Sequence, residues 1–380
     1  MELCFNEYLF SYKNGDYHRA FPGILKCAEL KIPFAMETVG KMYFEGLGTL
    51  KNLRMAEKWF KEAIYKGHEC HNNLGLLYCE NHDYHKAFTE FALSKNSPNP
   101  KIKSDSLANI GHLYYDGTGV AQNYKIAFEY YSKAGKNQEA YYGLAQLFEN
   151  GFSVSKNPKK AFEYYLKSAD LGDMDAVCQV GFYYGSGLLG LKNDQLAISW
   201  YEKGVLNNHP GCMANLSAHY WKGNGVKKDV VLAGKLLLQC ARHNGVLDED
   251  AKESLVEVAD MYFVGDSDFG VSQNYQMAVD LYLELIELNI MNLNLVKETF
   301  LSKDGVIFAL QNGNVKENIP KDCYYCAKVY LICFELGLLG KHEVLNILKK
   351  FIEELKTRNS GFSRDAESAG LIAILNKLSN

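Results

Sequence analysis

Ile110-Gly111-His112-Leu113-Tyr114-Tyr115-Asp116-Gly117-Thr118-Gly119-Val120-Ala121-Gln122-Asn123-Tyr124-Lys125-Ile126-Ala127-Phe128-Glu129-Tyr130-Tyr131-Ser132-Lys133-Ala134-Gly135 is the stretch on which the fold turns. Apolar residues recur at helical spacing on both sides of Gly117-Thr118-Gly119, so it reads as two amphipathic helices, A and B, around a glycine turn. Gly117 falls where a helix end favours a left-handed residue. Asn123 falls where a second helix needs a side-chain acceptor for its first N–H groups.

The pattern repeats along the chain. With the small residue Gly111 as zero, the anchors are Gly40, Gly75, Gly111, Ala145, Gly181, Ser217 and Ala259, separated by 35, 36, 34, 36, 36 and 42 residues. A spacing this narrow marks a repeat architecture. At +3 stands an aromatic (Tyr43, Tyr78, Tyr114, Phe148, Tyr184, Tyr220, Tyr262), and at +6 glycine in six copies (46, 117, 151, 187, 223, 265). Asn or Asp at +12 (Asn52, Asn123, Asn157, Asn193, Asp229) opens helix B, and Ala at +16 lets the helices approach. The pair at +19/+20, such as Trp59-Phe60 and Tyr130-Tyr131, fills the space toward the next hairpin.

Copy two lacks the glycine loop. Its Asn81-His82-Asp83-Tyr84-His85-Lys86-Ala87-Phe88 parallels Asn14-Gly15-Asp16-Tyr17-His18-Arg19-Ala20-Phe21, which predicts an eighth, short-loop hairpin over residues 3–30. Extra residues around 266–269 lengthen the last loop.

These residues resemble the Sel-1-like repeat family, a relative of the tetratricopeptide repeat. Copies three and six (Gly117-Thr118-Gly119-Val120 and Gly223-Asn224-Gly225-Val226) match its loop fully. The resemblance implies an all-α fold, a right-handed α/α superhelix (solenoid) of about seven to eight helical hairpins. It divides the chain into a short-loop tetratricopeptide-like hairpin at 1–33, Sel-1-like repeats at 34–290 and a divergent helical C-terminal cap at 291–380, since a solenoid end must cover its last apolar face. It also implies a non-catalytic adaptor or scaffold, expected to be bacterial. Alternatives are an immunity protein that neutralises a cognate toxin or a secreted effector that binds a host protein.

Composition agrees with a binding module. Of 380 residues 47% are hydrophobic and 13% aromatic, ample for a core, while a net charge of -4 offers no general attraction to nucleic acid or anionic membranes. No window approaches the ~18 apolar residues of a membrane span and the start lacks a signal peptide. The partner expected is therefore another protein, with no nucleic acid and no membrane insertion. Ten cysteines without paired spacing predict buried free thiols and a cytoplasmic location, or secretion by a signal-independent route.

Offsets -3, +1 and +4 form a stripe beside the core-facing positions of helix A. By resemblance to tetratricopeptide repeats it lines the concave groove, where a peptide or helix of the partner would lie. The partner-binding residues expected there are Lys41 and Phe44; Leu76; His112 and Tyr115; Tyr142 and Gln146; Phe182; Trp221; Asp260 and Phe263. Acids recur at -6 (Glu69, Asp105, Glu139, Asp175, Glu253), read as first-turn partners of the helix dipole.

No catalytic arrangement stands out and no cofactor is implied. The densest heteroatom cluster, His68-Glu69-Cys70-His71 with Cys79, His82 and His85, suggests a metal-dependent protein as a different class of function. Against that, His18 occupies the place of His85 without the rest of the cluster, so a metal is not assigned. Cys323-Tyr324-Tyr325-Cys326 has no second pair and reads as core thiols.

Overall fold

A computed structural model describes residues 2–290, apart from 191, 244, 265, 270, 273 and 289, together with residue 349. The cap expected over 291–380, with Cys323 and Cys326, lies outside the described residues. Among those described the fold is all helix, with one isolated bridge between Asp266 and Val271 in the lengthened last loop.

The helices fall into two compact units, divided between Asn193 and Asp194. The first holds α1 (Glu2–Lys13), α2 (Tyr17–Glu29), α3 (Pro33–Glu45), α4 (Leu53–Tyr65), α5 (His71–Glu80), α6 (Tyr84–Ser94), α7 (Pro100–Asp116), α8 (Tyr124–Ala134), α9 (Gln138–Asn150), α10 (Pro158–Asp170) and α11 (Met174–Ser186). The second holds α12 (Asp194–Leu206), α13 (Pro210–Lys222), α14 (Val230–Arg242), α15 (Glu249–Val264) and α16 (Tyr275–Glu287). Within each unit a helix packs on its neighbours in the chain, and in the first unit α7 also touches α5 and α9. This is the packing of an α/α solenoid. No described helix is long and apolar enough to cross a membrane.

The repeat positions do the local work. Gly46, Gly117, Gly151, Gly187 and Gly223 end their helices at φ between 71 and 78°, a conformation that a Cβ would strain. Asn52, Asn123, Asn157 and Asp229 accept N–H groups from the first turn of the following helix. The expected opening hairpin is α1/α2, with Asp16 capping α2 as Asp83 caps α6.

Two aromatic devices set the spacing. The ring at +20 lies over the anchor, so a Cβ on Gly40 would come 2.5 Å from Phe60 and one on Gly111 2.6 Å from Tyr131. The Tyr131 ring also meets Gly143 of the next hairpin, where a Cβ would stand 2.4 Å away. At four joints the +3 ring meets a Phe of the preceding B helix edge-on: Tyr43 on Phe21, Tyr114 on Phe88, Phe148 on Phe128 and Tyr184 on Phe162, at interplanar angles of 82 to 90°. Each pair contributes roughly 0.5–1.5 kcal/mol beyond its burial.

Loop glycines brace the same joints. A Cβ on Gly48 would strike the Tyr17 carbonyl at 2.2 Å, and one on Gly119 the Tyr84 backbone at 2.6 Å. Only glycine lets the loop lie this close to the preceding B helix. The three-residue turn between α5 and α6 has no such loop.

Candidate functional site

In the first unit, the N-terminal halves of α3, α5, α7 and α9 border two clefts of about 470 and 550 Å³, which share Asn72, Lys101 and Asp105. Clefts of a few hundred Å³ accept side chains of a partner or a small molecule. Their floor is a polar ladder that ties each A helix to the next. Glu37 Oε1 accepts Asn73 Nδ2 at 3.0 Å, and Asn72 Oδ1 accepts Asn109 Nδ2 at 3.1 Å and the Ser106 hydroxyl at 3.1 Å. Farther along, Gln179 bonds to the Tyr142 hydroxyl, whose pKa burial pushes up to about 12. The amide rungs join offset -3 of one copy to offset -2 of the following copy, and Ser106 adds a bond from offset -5.

The offset -2 residues Asn73, Asn109 and Gln179 escaped the sequence reading. A signal was present: polar Asn73, Asn109 and Gln179 follow Glu37, Asn72 and Tyr142 at -3 of the copy before, and small Gly143 follows small Ala108.

The acids at -6 divide. Glu139 and Asp175 lie in first turns, as a dipole partner should, but α7 and α5 have no acid in theirs. Instead Glu69 precedes α5 and accepts the Ser97 hydroxyl at 2.7 Å, while Asp105 sits deeper in α7 and accepts Asn137 Nδ2 at 2.9 Å. Burial raises the pKa of the Asp105 and Glu139 carboxyls, and for Glu139 the charge of Asp105 adds to it. Both carboxyls face the larger cleft.

The stripe at +1 and +4 is brought to one side of α3, α5, α7 and α9, though much of it is spent inside its own hairpin. The Tyr131 hydroxyl and His112 Nδ1 lie 2.9 Å apart, and burial lowers the His112 pKa to about 4, so the ring stays neutral. Tyr142 packs edge-on against Tyr165 at 5.4 Å, and Tyr115 packs on Tyr124 at 5.3 Å beside Phe152. Glu149 accepts hydroxyls from both Tyr165 at 2.7 Å and Tyr183 at 2.8 Å. Half-buried Gln146 accepts Asn150 Nδ2 at its backbone carbonyl.

Other stripe residues meet solvent. Leu76 is 38% and Phe182 46% exposed, and Leu76 borders the larger cleft. Lys41 borders the smaller cleft and pairs with Glu37 at 2.6 Å; half-buried Phe44 has Lys51 over its ring. In the second unit, Trp221 borders a separate cleft of about 380 Å³ with Ala214, Ala218 and Lys222, closed by the 246–248 connector. There Asp260 accepts the Tyr282 hydroxyl, and the Phe263 side chain lies outside what the structure describes.

Folding takes His71 and His82 out of the heteroatom cluster and leaves His68 and Cys70 together. His71 Nδ1 turns to Glu90 Oε2 at 2.6 Å and His82 to the Tyr84 hydroxyl at 3.1 Å. His68 Nε2 meets Glu37 Oε2 at 2.7 Å. Burial pushes the Glu37 carboxyl up, but hydrogen bonds and charge from Lys41 and His68 together outweigh it and hold its pKa below the usual value. Cys27, Cys70, Cys212 and Cys240 are buried.

With this geometry in hand, the chain compares with known proteins as follows. The Sel1 repeat model matches residues 33–68, 104–138, 138–173, 175–209, 210–244 and 252–289, passing over the short-loop copy. Among solved structures, a Sel1 repeat protein from Oxalobacter formigenes is 24% identical, with 74% of this chain and 99% of that one covered, at a TM-score of 0.42. A protective antigen of uropathogenic Escherichia coli displaying an SLR fold is 18% identical over 94% of this chain and 90% of that one, at 0.48. The C-terminal part of a TPR repeat-containing protein from Cytophaga hutchinsonii is 17% identical over 73% and 98%, at 0.36. No curated protein matches.

Proposed function

The chain belongs to the Sel1 repeat family, a family of protein-interaction scaffolds, and from that premise we propose that it is a non-catalytic adaptor holding a segment of a partner protein along the α3–α9 face of its first unit. One observation carries the reading. Successive A helices there leave two connected clefts with a floor of asparagine and carboxylate groups and an exposed apolar side chain, Leu76, at the edge. Ladder groups already bonded to one another are held in place before a partner arrives, which lowers the ordering cost of association. Leu76 supplies an apolar contact of the kind that closes such an interface. Ten cysteines without a paired spacing support a reducing, cytoplasmic setting.

Affinity capture with the full chain tests this. A Leu76→Asp and Asn109→Ala double variant is expected to lose the partner recovered by the parent chain while keeping its helical circular dichroism. A folded double variant that still recovers the same partner would move the binding surface to the B helices or to residues 291–380.

A further inference from the structure

Folding brings Glu37 to His68 and Cys70, which follow it in the sequence by almost a full repeat. A Glu37 carboxylate oxygen, a ring nitrogen of His68 and Cys70 Sγ all lie within 4.8 Å of one another at the joint between α3/α4 and α5. Each is held before any ion arrives. The 66–70 connector is tied back by His68 N–H to the Ala63 carbonyl and Cys70 N–H to the His68 carbonyl, both at 3.0 Å. Lys41 and Asn73 fix Glu37 through Oε1, leaving Oε2 turned to His68. The Glu37 and His68 side chains retain 13% and 28% exposure and border the smaller cleft, while Cys70 is fully buried behind them.

We propose that Glu37, His68 and Cys70 bind a borderline-soft divalent cation of the zinc class, with a fourth coordination position open to the cleft. The donor set chooses the ion. Thiolate with imidazole excludes magnesium and calcium, which take oxygen ligands, and one oxygen, one nitrogen and one sulfur suit a tetrahedral zinc site. Bonds of 2.0–2.3 Å put tetrahedral ligand atoms ~3.3–3.7 Å apart, so the present 2.7 Å contact between His68 and Glu37 opens by roughly 0.6 Å on loading. The Cys70 thiol proton leaves to solvent. The hydrogen between His68 and Glu37 moves to solvent or to Nδ1, freeing the Nε2 lone pair. Lys41 and Asn73 remain on Oε1 as the outer partners that orient the carboxylate.

The position gives the ion a purpose. The short α5–α6 turn cannot reach back to α4 as the Gly48 and Gly119 loops reach back to the B helices before them. A cation clamping α3 to the α4–α5 connector supplies a brace at the joint where the loop does not. This inference stands apart from the partner reading and survives its failure.

The test is zinc titration of the tag-free full chain against a chromophoric chelator, with cobalt(II) as a spectroscopic substitute. About one equivalent of zinc should bind, and cobalt should give thiolate charge-transfer absorption in the near ultraviolet. Cys70→Ser should abolish that absorption. His68→Gln, at a partly exposed position with little bearing on folding, should weaken zinc about tenfold or more. His85→Ala and the Cys323→Ser, Cys326→Ser double variant should change neither. Binding of less than about one tenth of an equivalent, no thiolate absorption, or unaltered zinc affinity in folded His68→Gln would each overturn the assignment.

Discussion

Hairpins α5/α6 and α7/α8 differ in their loops, yet at the ring over the anchor a single hydroxyl separates what their A helices can do. In both, a glycine anchor lies under a B-helix ring: Gly75 under Phe91, Gly111 under Tyr131. Phe91 has no hydroxyl, so Leu76, the residue after its anchor, is left to face the cleft. Tyr131 carries one, and its partner is His112, the residue after its own anchor. The rule extends further: Tyr165 occupies Glu149, and Tyr282 occupies Asp260. At this place Phe91 leaves Leu76 to the cleft, whereas Tyr131, Tyr165 and Tyr282 each spend an A-helix side chain on stability.

The comparison can be broken hardest at the anchor. Gly111→Val drives a branched side chain into Tyr131 and is expected to cost about 3 kcal/mol in urea unfolding. Loss of less than about 1 kcal/mol would mean that the ring moves aside freely and the anchor is not a constraint. Next comes the hydroxyl acceptor. Glu149→Ala strands the hydroxyls of Tyr165 and Tyr183 and should cost about 2 kcal/mol, with Glu149→Gln recovering part because one acceptor oxygen remains.

Acid sharpens the contrast between the two hairpins. The folded pKa of His112 is lowered from 6.5 to about 4, so below pH 6.5 the unfolded chain takes up a proton that the folded chain refuses. Its contribution is intact above pH 6.5 and is lost as pH falls toward 4, on the order of 1–2 kcal/mol by pH 5. Glu37, whose folded pKa is also lowered, acts in the same direction below the usual carboxylate range. Denaturant midpoints measured across this span should fall less steeply in His112→Gln than in the parent; equal slopes would assign the acid sensitivity elsewhere. The smallest expected effect belongs to the open hairpin. Leu76→Ala should change stability by no more than about 0.5 kcal/mol, since its side chain is already partly exposed. Its consequence should appear in partner capture.

Much of the fold was legible because one position repeats for one mechanical reason. The small anchor is small on account of the ring above it, and such a constraint writes itself into every copy. The caps at Asn52, Asn123, Asn157 and Asp229 were readable for the same cause: each serves its own helix. The cleft was less legible. Asn73 and Asn109 work by answering a residue in the copy before, a relation that spacing within one helix does not encode. Nor does a stripe at helical spacing reveal that His112 and Asp260 are claimed by tyrosines from the facing helix. Glu37 joins His68 and Cys70 across a whole repeat, whereas neighbours in sequence, His71 and His82, turn to other partners.

Tyr131, held between Gly111 of its own hairpin and Gly143 of the following one, shifts the natural seam of the chain. A truncation drawn after Ala134, where the hairpin ends, would leave half of that ring wet. Shortened forms should instead stop after α9, so that the cooperative block runs half a repeat out of phase with the genetic one.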